Sequence, residues 1–143
     1  VKMASAYAQA LEAGLAIVVK RRKSATEIEA VAVIGEVDGK NVIIVDDLTE
    51  TAGTLVGAAR ILRSQGAKNI YAGVSHTVLT DLAVERLKGS EIKELITTDS
   101  VPLRVDSAAR VKVLSVAELL GEGIRRIHDD ESVSSLFEIK NTK

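Results

Sequence analysis

The chain has 143 residues, 46% of them hydrophobic and 27% charged, which fits one soluble domain with a real core. A net charge of −1 and 2% aromatics argue against a general nucleic-acid partner or a base-stacking platform, and no apolar run reaches membrane-spanning length. With no cysteine there is no disulfide framework, thiolate metal site or cysteine nucleophile, and the default compartment is the cytoplasm.

In chain order, Val1 to Ala13 has helical spacing (Met3, Ala6, Tyr7, Ala10, Leu11), with Gly14 in the stop position. Leu15 to Val19 reads as a short buried strand, followed by Lys20-Arg21-Arg22-Lys23 and Ser24-Ala25-Thr26 as a mobile basic loop. Glu27 to Val37 alternates in part and reads as a strand, and Asp38-Gly39 signals a tight turn, so a hairpin leading into the central strand is expected.

The most informative stretch is Val42-Ile43-Ile44-Val45-Asp46-Asp47-Leu48-Thr49-Glu50-Thr51-Ala52-Gly53-Thr54. A β-branched apolar run suits a parallel strand covered on both faces, and the two acids are expected to stop it. Thr51, Ala52, Gly53 and Thr54 are small enough for their backbone N–H groups to close around an anion. A helix from Thr54 to Gln65 follows, ended by Gly66, and a helix N-terminus carries unpaired donors and a positive dipole end that suit phosphate. Acids at a strand's carboxyl end beside such a loop suit sugar hydroxyls. No Gly-Lys-Ser/Thr follows, so this is not a Walker loop, and the dinucleotide glycine fingerprint is absent.

Beyond it, Asn69 to Val74 reads as a strand with Ser75-His76-Thr77 at its carboxyl end. The lone His76 is expected to pin a loop by hydrogen bonding. Asp81 is expected to cap a short helix, Leu82 to Lys88, stopped by Gly89. Leu95 to Thr98 is a strand, with Thr97, Thr98 and Asp99 at a carboxyl end where an active-site role is conceivable. Val111 to Val116 is a last strand, and Ala117 to His128 an amphipathic helix with Arg125, Arg126 and His128 near its negative end. Residues 129–143 read as a partly flexible tail. Alternating strands and helices imply a three-layer α/β/α domain with a mainly parallel sheet spanning residues 1–143.

Asp46 to Thr54 resembles the phosphoribosyl-diphosphate loop of type I phosphoribosyltransferase folds. Lys20-Arg21-Arg22, Val45-Asp46-Asp47, Gly66-Ala67-Lys68, Thr98 to Leu103, Ile124 to His128 and Glu131 to Phe137 narrow the resemblance to the C-terminal half of ribose-phosphate pyrophosphokinases. That resemblance implies transfer of the diphosphoryl group of ATP to the 1-hydroxyl of ribose 5-phosphate, giving phosphoribosyl diphosphate and AMP. It implies Lys20 and Arg22 as catalytic cations that stabilise transition-state charge. It implies Asp46, Asp47, Glu50, Thr51, Ala52, Gly53 and Thr54 as the ribose 5-phosphate site, Asp46 and Asp47 as magnesium ligands, and Ser132, Ser134 and Phe137 as a regulatory interface. Glu50 stands where the family usually has Asp, and Lys23-Ser24-Ala25 where it usually has prolines. The family assembles into hexamers through both halves. An N-terminal half of the same enzyme is therefore an implied partner, and this piece alone is expected to be inactive. A non-catalytic regulatory subunit of the same fold, or a true phosphoribosyltransferase, are the alternatives.

Overall fold

The computed structural model describes residues 2–22, 28–103 and 110–137, with the backbone alone for 20–22 and 28–31. Helix α1 is Lys2–Ala10, followed by strands β1 (Ile17–Arg22), β2 (Ile28–Ile34) and β3 (Asn41–Thr49). Then come α2 (Gly53–Ser64), β4 (Asn69–Thr77), α3 (Asp81–Lys88), β5 (Ile92–Thr98), β6 (Val111–Leu114), α4 (Ala117–His128) and a 3₁₀ turn at Ser134–Phe137.

Strands β3, β4, β5 and β6 lie side by side in sequence order, all parallel, and the β3–β4 and β4–β5 crossovers each carry a helix. The expected α/β architecture with a parallel sheet flanked by helices is what forms. One sheet face is densely covered: Ile70, Ala72 and Val74 of β4 and Ile92 and Leu95 of β5 are buried with Leu55, Ala59 and Leu62 of α2 and Ala83 and Leu87 of α3. Those of β4 alternate along the strand, Ile92 and Leu95 of β5 are three apart because a register shift falls between them, and the helix positions recur at helical spacing. The residues between them on β3, such as Ile43 at 38% exposure, are much more open.

Several boundaries differ from the sequence expectation. The first helix stops at Ala10. Glu12, with φ 49°, takes the left-handed stop position, and the Ala13 amide reaches back to the Ala8 carbonyl, so Gly14 is not the terminator. Lys20 to Arg22 continue β1 rather than starting a loop, because their backbone pairs with Ala30, Glu29 and Ile28 of β2. β2 pairs antiparallel with β1 and not with β3, so the hairpin joins the first two strands and the ribbon stays separate from the main sheet. Residues 23–27, the rest of the basic loop, lie outside the described residues.

Asp38-Gly39 does form the expected turn, with the Lys40 amide bonded to the Val37 carbonyl. Gly39 donates to the carbonyl of Gly66, whose φ of 87° places it so close to Asp38 that a Cβ would collide with that side chain. Gly66 is therefore fixed by both conformation and space. α3 is capped by Thr80, whose hydroxyl accepts from the Ala83 amide at 3.3 Å, and Asp81 is the first helical residue. α4 has the expected limits, yet none of its residues is buried.

Candidate active site

The acids do not end β3. The strand runs through them to Thr49, because β4 also continues, with Asp46 opposite Val74, Leu48 opposite His76 and Thr49 opposite Thr77. Continuing the ladder satisfies backbone groups that an earlier stop would leave open. Asp46 is half-buried and Asp47 exposed. One oxygen of each carboxylate accepts from the next residue's amide: Asp46 Oδ1 from Asp47 N at 3.0 Å, and Asp47 Oδ1 from Leu48 N at 2.8 Å. The second oxygen of each has no protein partner among the described residues.

The loop after β3 owes its shape to the segment that follows β4. The Thr49 carbonyl accepts from the Val78 amide at 2.9 Å. The Glu50 carbonyl accepts from the Thr80 amide at 3.4 Å and the Thr80 hydroxyl at 3.3 Å. The Thr51 carbonyl accepts from Nη1 of Arg86 at 3.0 Å. Three successive carbonyls thus turn toward one side. Each trans peptide unit holds the next N–H opposite its C=O, so the amides of Glu50, Thr51 and Ala52 turn to the other side. Ala52, 1% exposed, takes the left-handed conformation with φ 55° and ψ 7°, which costs a non-glycine residue about 1–2 kcal/mol. Such a residue between outward-turned amides gives the concave donor cluster that binds anions.

Helix α2 starts at once, at Gly53, and no side chain caps its N-terminus. Its first-turn donors and positive dipole end add to the loop amides. Leu55, 1% exposed, anchors the helix in the core, so the donors sit on a rigid element. The predicted residues Asp46, Asp47, Glu50, Thr51, Ala52, Gly53 and Thr54 are therefore brought together in one strand–loop–helix unit. Glu50 contributes its carbonyl to holding the loop, and its side chain is exposed.

Magnesium takes oxygen ligands from one or two carboxylates, phosphates and water. The open oxygens of Asp46 and Asp47 beside a phosphate-type nest fit that demand. No group of three or more His, Cys, Asp and Glu residues forms a metal cluster among the described residues.

Lys20 and Arg22 are both on β1, with their backbones opposite Ala30 and Ile28, and their side chains lie outside the described residues. The neighbouring strand ends are occupied by structural bonds. His76 Nδ1 lies 2.8 Å from Ser100 Oγ, the pinning role expected for it. Thr97 is buried against Thr77, and Thr98 donates to the Ser75 carbonyl at 2.7 Å. Asp99 accepts from Ser115 Oγ at 2.6 Å and Val116 N at 2.8 Å, holding the start of α4. Those donors keep its carboxyl below the usual range. At the other end, Arg126 donates to the Ser132 carbonyl and the Ser135 hydroxyl, tying the 3₁₀ turn to α4. Ser132 and Ser134 are exposed there, and Phe137 is 81% exposed. Residues 138–143 lie outside the described residues.

Arg86 and Thr80 were not expected from the sequence. Both act on the loop from more than 29 positions away, and neither a lone arginine on an amphipathic helix nor a capping threonine signals a partner at that distance.

A family model described as the phosphoribosyl synthetase-associated domain matches residues 21–138, most of the chain. The chain belongs to the phosphoribosyl synthetase-associated domain family. This family member is 47% identical over 139 residues to the ribose-phosphate pyrophosphokinase of Gloeobacter violaceus, covering 96% of this chain and 42% of that protein. It is 51% identical over 132 residues to the ribose-phosphate pyrophosphokinase of Caldanaerobacter subterraneus, covering 92% of this chain and again 42% of the relative. The crystal structure of phosphoribosylpyrophosphate synthetase from Mycobacterium smegmatis superposes with a TM-score of 0.79 at 34% identity, over 91% of this chain and 42% of that one. The family domain described here thus spans less than half the length of the relatives it matches.

Proposed function

We propose that this chain is the ribose 5-phosphate-binding part of a ribose-phosphate diphosphokinase. The observation that carries the reading is the held-back row of carbonyls at Thr49, Glu50 and Thr51, which turns the amides of Glu50, Thr51 and Ala52 the other way just after Asp46 and Asp47 and just before the N-terminus of α2. The family membership and the pyrophosphokinase relatives support it.

In this reading the 5-phosphate sits in the nest from Thr51 to Thr54, with the Thr51 hydroxyl adding a donor. A charge–dipole contact of this type contributes about 0.3–1 kcal/mol, more when partly buried. Asp46 and Asp47 accept hydrogen bonds from the ribose 2- and 3-hydroxyls, which orients the anomeric hydroxyl away from the nest. Glu50 supplies a third carboxylate on a longer arm. Magnesium, held through the open oxygens of Asp46 and Asp47 and through phosphate, would offset negative charge on the diphosphate. The anomeric hydroxyl attacks the β-phosphorus of ATP and AMP leaves. Phosphoryl transfer of this kind rests on positioning and electrostatics, so no protein nucleophile is needed. Lys20 and Arg22 are assigned to the transferring group's charge, and Ser132, Ser134 and Phe137 to a regulatory contact with another subunit of a cytoplasmic oligomer. An N-terminal half supplies the remaining ATP contacts.

Calorimetric titration of the 143-residue chain with ribose 5-phosphate and magnesium, alongside amide chemical shifts, tests this. The expected result is weak binding with shifts concentrated at Thr51 to Thr54, and no AMP release when ATP is added. Binding that leaves those amides unmoved, or no binding at millimolar sugar phosphate, would overturn the assignment.

A further inference from the structure

The carboxyl ends of β4 and β5 carry a small hydrogen-bonded cluster that fixes the protons of one imidazole. Thr98 Oγ1 donates to the Ser75 carbonyl at 2.7 Å and lies 2.8 Å from Ser100 Oγ. Ser100 Oγ donates to the same carbonyl at 3.1 Å and lies 2.8 Å from His76 Nδ1. A carbonyl only accepts, and each hydroxyl has one proton to give. With the Ser100 proton on the Ser75 carbonyl, the proton between Ser100 and His76 belongs to the ring. The reverse polarity, with Ser100 donating to Nδ1, leaves two of the three oxygen–oxygen contacts without a proton instead of one. The neutral ring is thereby held as the Nδ1–H tautomer, and Nε2 carries the lone pair.

His76 also stands at the ligand edge. It is exposed, and its backbone is the ladder partner of Leu48, the residue that follows Asp46 and Asp47. Neighbouring strands lie about 4.8 Å apart, so this histidine is one strand over from the acids on the same carboxyl rim. Its Nε2 has no protein partner among the described residues. The nearby carboxylate in sequence, Asp99, accepts from Ser115 and Val116, so the anchor of the ring is a hydroxyl and not a charge. Pinning a loop occupies one ring nitrogen; the same bond leaves the other as a fixed acceptor.

We propose that His76 Nε2 accepts a hydrogen bond from the anomeric hydroxyl of the bound sugar phosphate, which makes His76 a substrate-binding residue. This rests on the ribose 5-phosphate reading. There Asp46 and Asp47 take the hydroxyls at carbons 2 and 3, and the hydroxyl at carbon 1 is the one left for an acceptor on the next strand. A neutral imidazole engages that oxygen without placing a further negative charge beside the triphosphate it attacks, as another carboxylate would. The Thr98–Ser100 cluster is then the device that keeps the accepting nitrogen free of its own proton.

The chain has 2 histidines, His76 and His128, so the ring-nitrogen NMR spectrum is simple and His128 serves as an internal control. Spectra of the 143-residue chain are recorded at about pH 8, where an ordinary imidazole is neutral. In the free chain His76 is expected as the Nδ1–H tautomer, and Ser100→Ala lets the two tautomers mix. Ribose 5-phosphate with magnesium moves the His76 Nε2 resonance and leaves His128 in place. Anhydroribitol 5-phosphate, the same ring without the anomeric hydroxyl, moves the amides of Thr51 to Thr54 and leaves Nε2 where it was. His76→Asn keeps a side-chain amide donor for Ser100 and deletes Nε2. It should weaken ribose 5-phosphate about five- to tenfold and leave the anhydro analogue unaffected. The proposal is overturned if the free ring is protonated at Nε2, or if the analogue moves Nε2 as far as ribose 5-phosphate does. It is also overturned, with the ribose 5-phosphate reading intact, if the sugar phosphate moves the Thr51 to Thr54 amides and not the ring. Silence from both the ring and those amides overturns the two together.

Discussion

Nη1 of Arg86 donates to the carbonyl of Thr51 at 3.0 Å, and a Cβ added to Gly53 would stand 3.2 Å from the same nitrogen. One guanidinium from α3 thus braces the far side of the loop whose near side carries the open amides. The bond is exposed, so it is worth less than a buried charge-assisted hydrogen bond. Arg86→Ala is expected to weaken ribose 5-phosphate binding about five- to tenfold, roughly 1–1.4 kcal/mol. Arg86→Lys keeps the charge but loses the planar fork, and should recover only part of the affinity. Calorimetry on the two variants checks this, with far-UV circular dichroism establishing that α3 is intact. Equal affinity in Arg86→Ala and the parent would remove the bracing role.

Asp47 carries the sharper prediction at the same site. Its Oδ1 is held by the Leu48 amide, so Asp47→Asn keeps the acceptor and the local turn while deleting the charge. Binding of ribose 5-phosphate without metal should weaken only a few-fold, because the open oxygen becomes an NH2 that cannot accept from a ribose hydroxyl, and the enhancement produced by magnesium should fall about ten- to a hundredfold. Titrations with and without the metal separate the two quantities. An undiminished magnesium effect would take Asp47 out of the metal site.

Much of this arrangement was legible in the residues themselves. Alternation in β4 and the helical spacing of Leu55, Ala58, Ala59 and Leu62 identify the core faces, because burial enforces those periods. The string from Asp46 to Thr54 marks the candidate site, because an anion nest needs small residues at a helix start. What the string does not carry is which way its peptide units face. That is decided by Val78, Thr80 and Arg86, distant residues whose types are ordinary. The end of β3 was misplaced for a related reason: two acids look like a terminator until a longer β4 supplies partners for the backbone beyond them. The pairing of β1 with β2 was equally invisible, since alternation specifies faces and not neighbours.

Asp99 predicts a pH dependence. Ser115 Oγ and the Val116 amide donate to its carboxylate, which lowers its folded pKa below the ordinary value near 4. A depressed carboxyl contributes stability that is fully present above its unfolded pKa and is lost as the pH falls through the lower folded value. Asp99→Ala should therefore melt at a lower temperature than the parent at pH 7. The difference between the two should hold from pH 8 to about 5 and shrink steadily below about 4. Thermal melts of both proteins across that range measure it. A difference independent of pH would mean that Asp99 acts through shape and not through its charged hydrogen bonds.

Thr77 and Thr97 are each 1% exposed, and their hydroxyls lie 2.6 Å apart, bridging adjacent strands β4 and β5 just beneath the site. A buried hydroxyl that loses its partner bears its full desolvation cost, whereas replacing both partners by apolar groups of the same shape removes the need for a bond. Thr77→Val and Thr97→Val should each destabilise the chain by about 1–3 kcal/mol, since each strands the other hydroxyl. The double variant should cost clearly less than the two single costs added together, leaving a coupling of roughly 0.5–3 kcal/mol. Urea unfolding of the four proteins completes the cycle, with the m-value checked for constancy. Strict additivity would mean that each hydroxyl finds another partner when its neighbour is gone, and the pair would then have no part in fixing β4 against β5 beneath the loop.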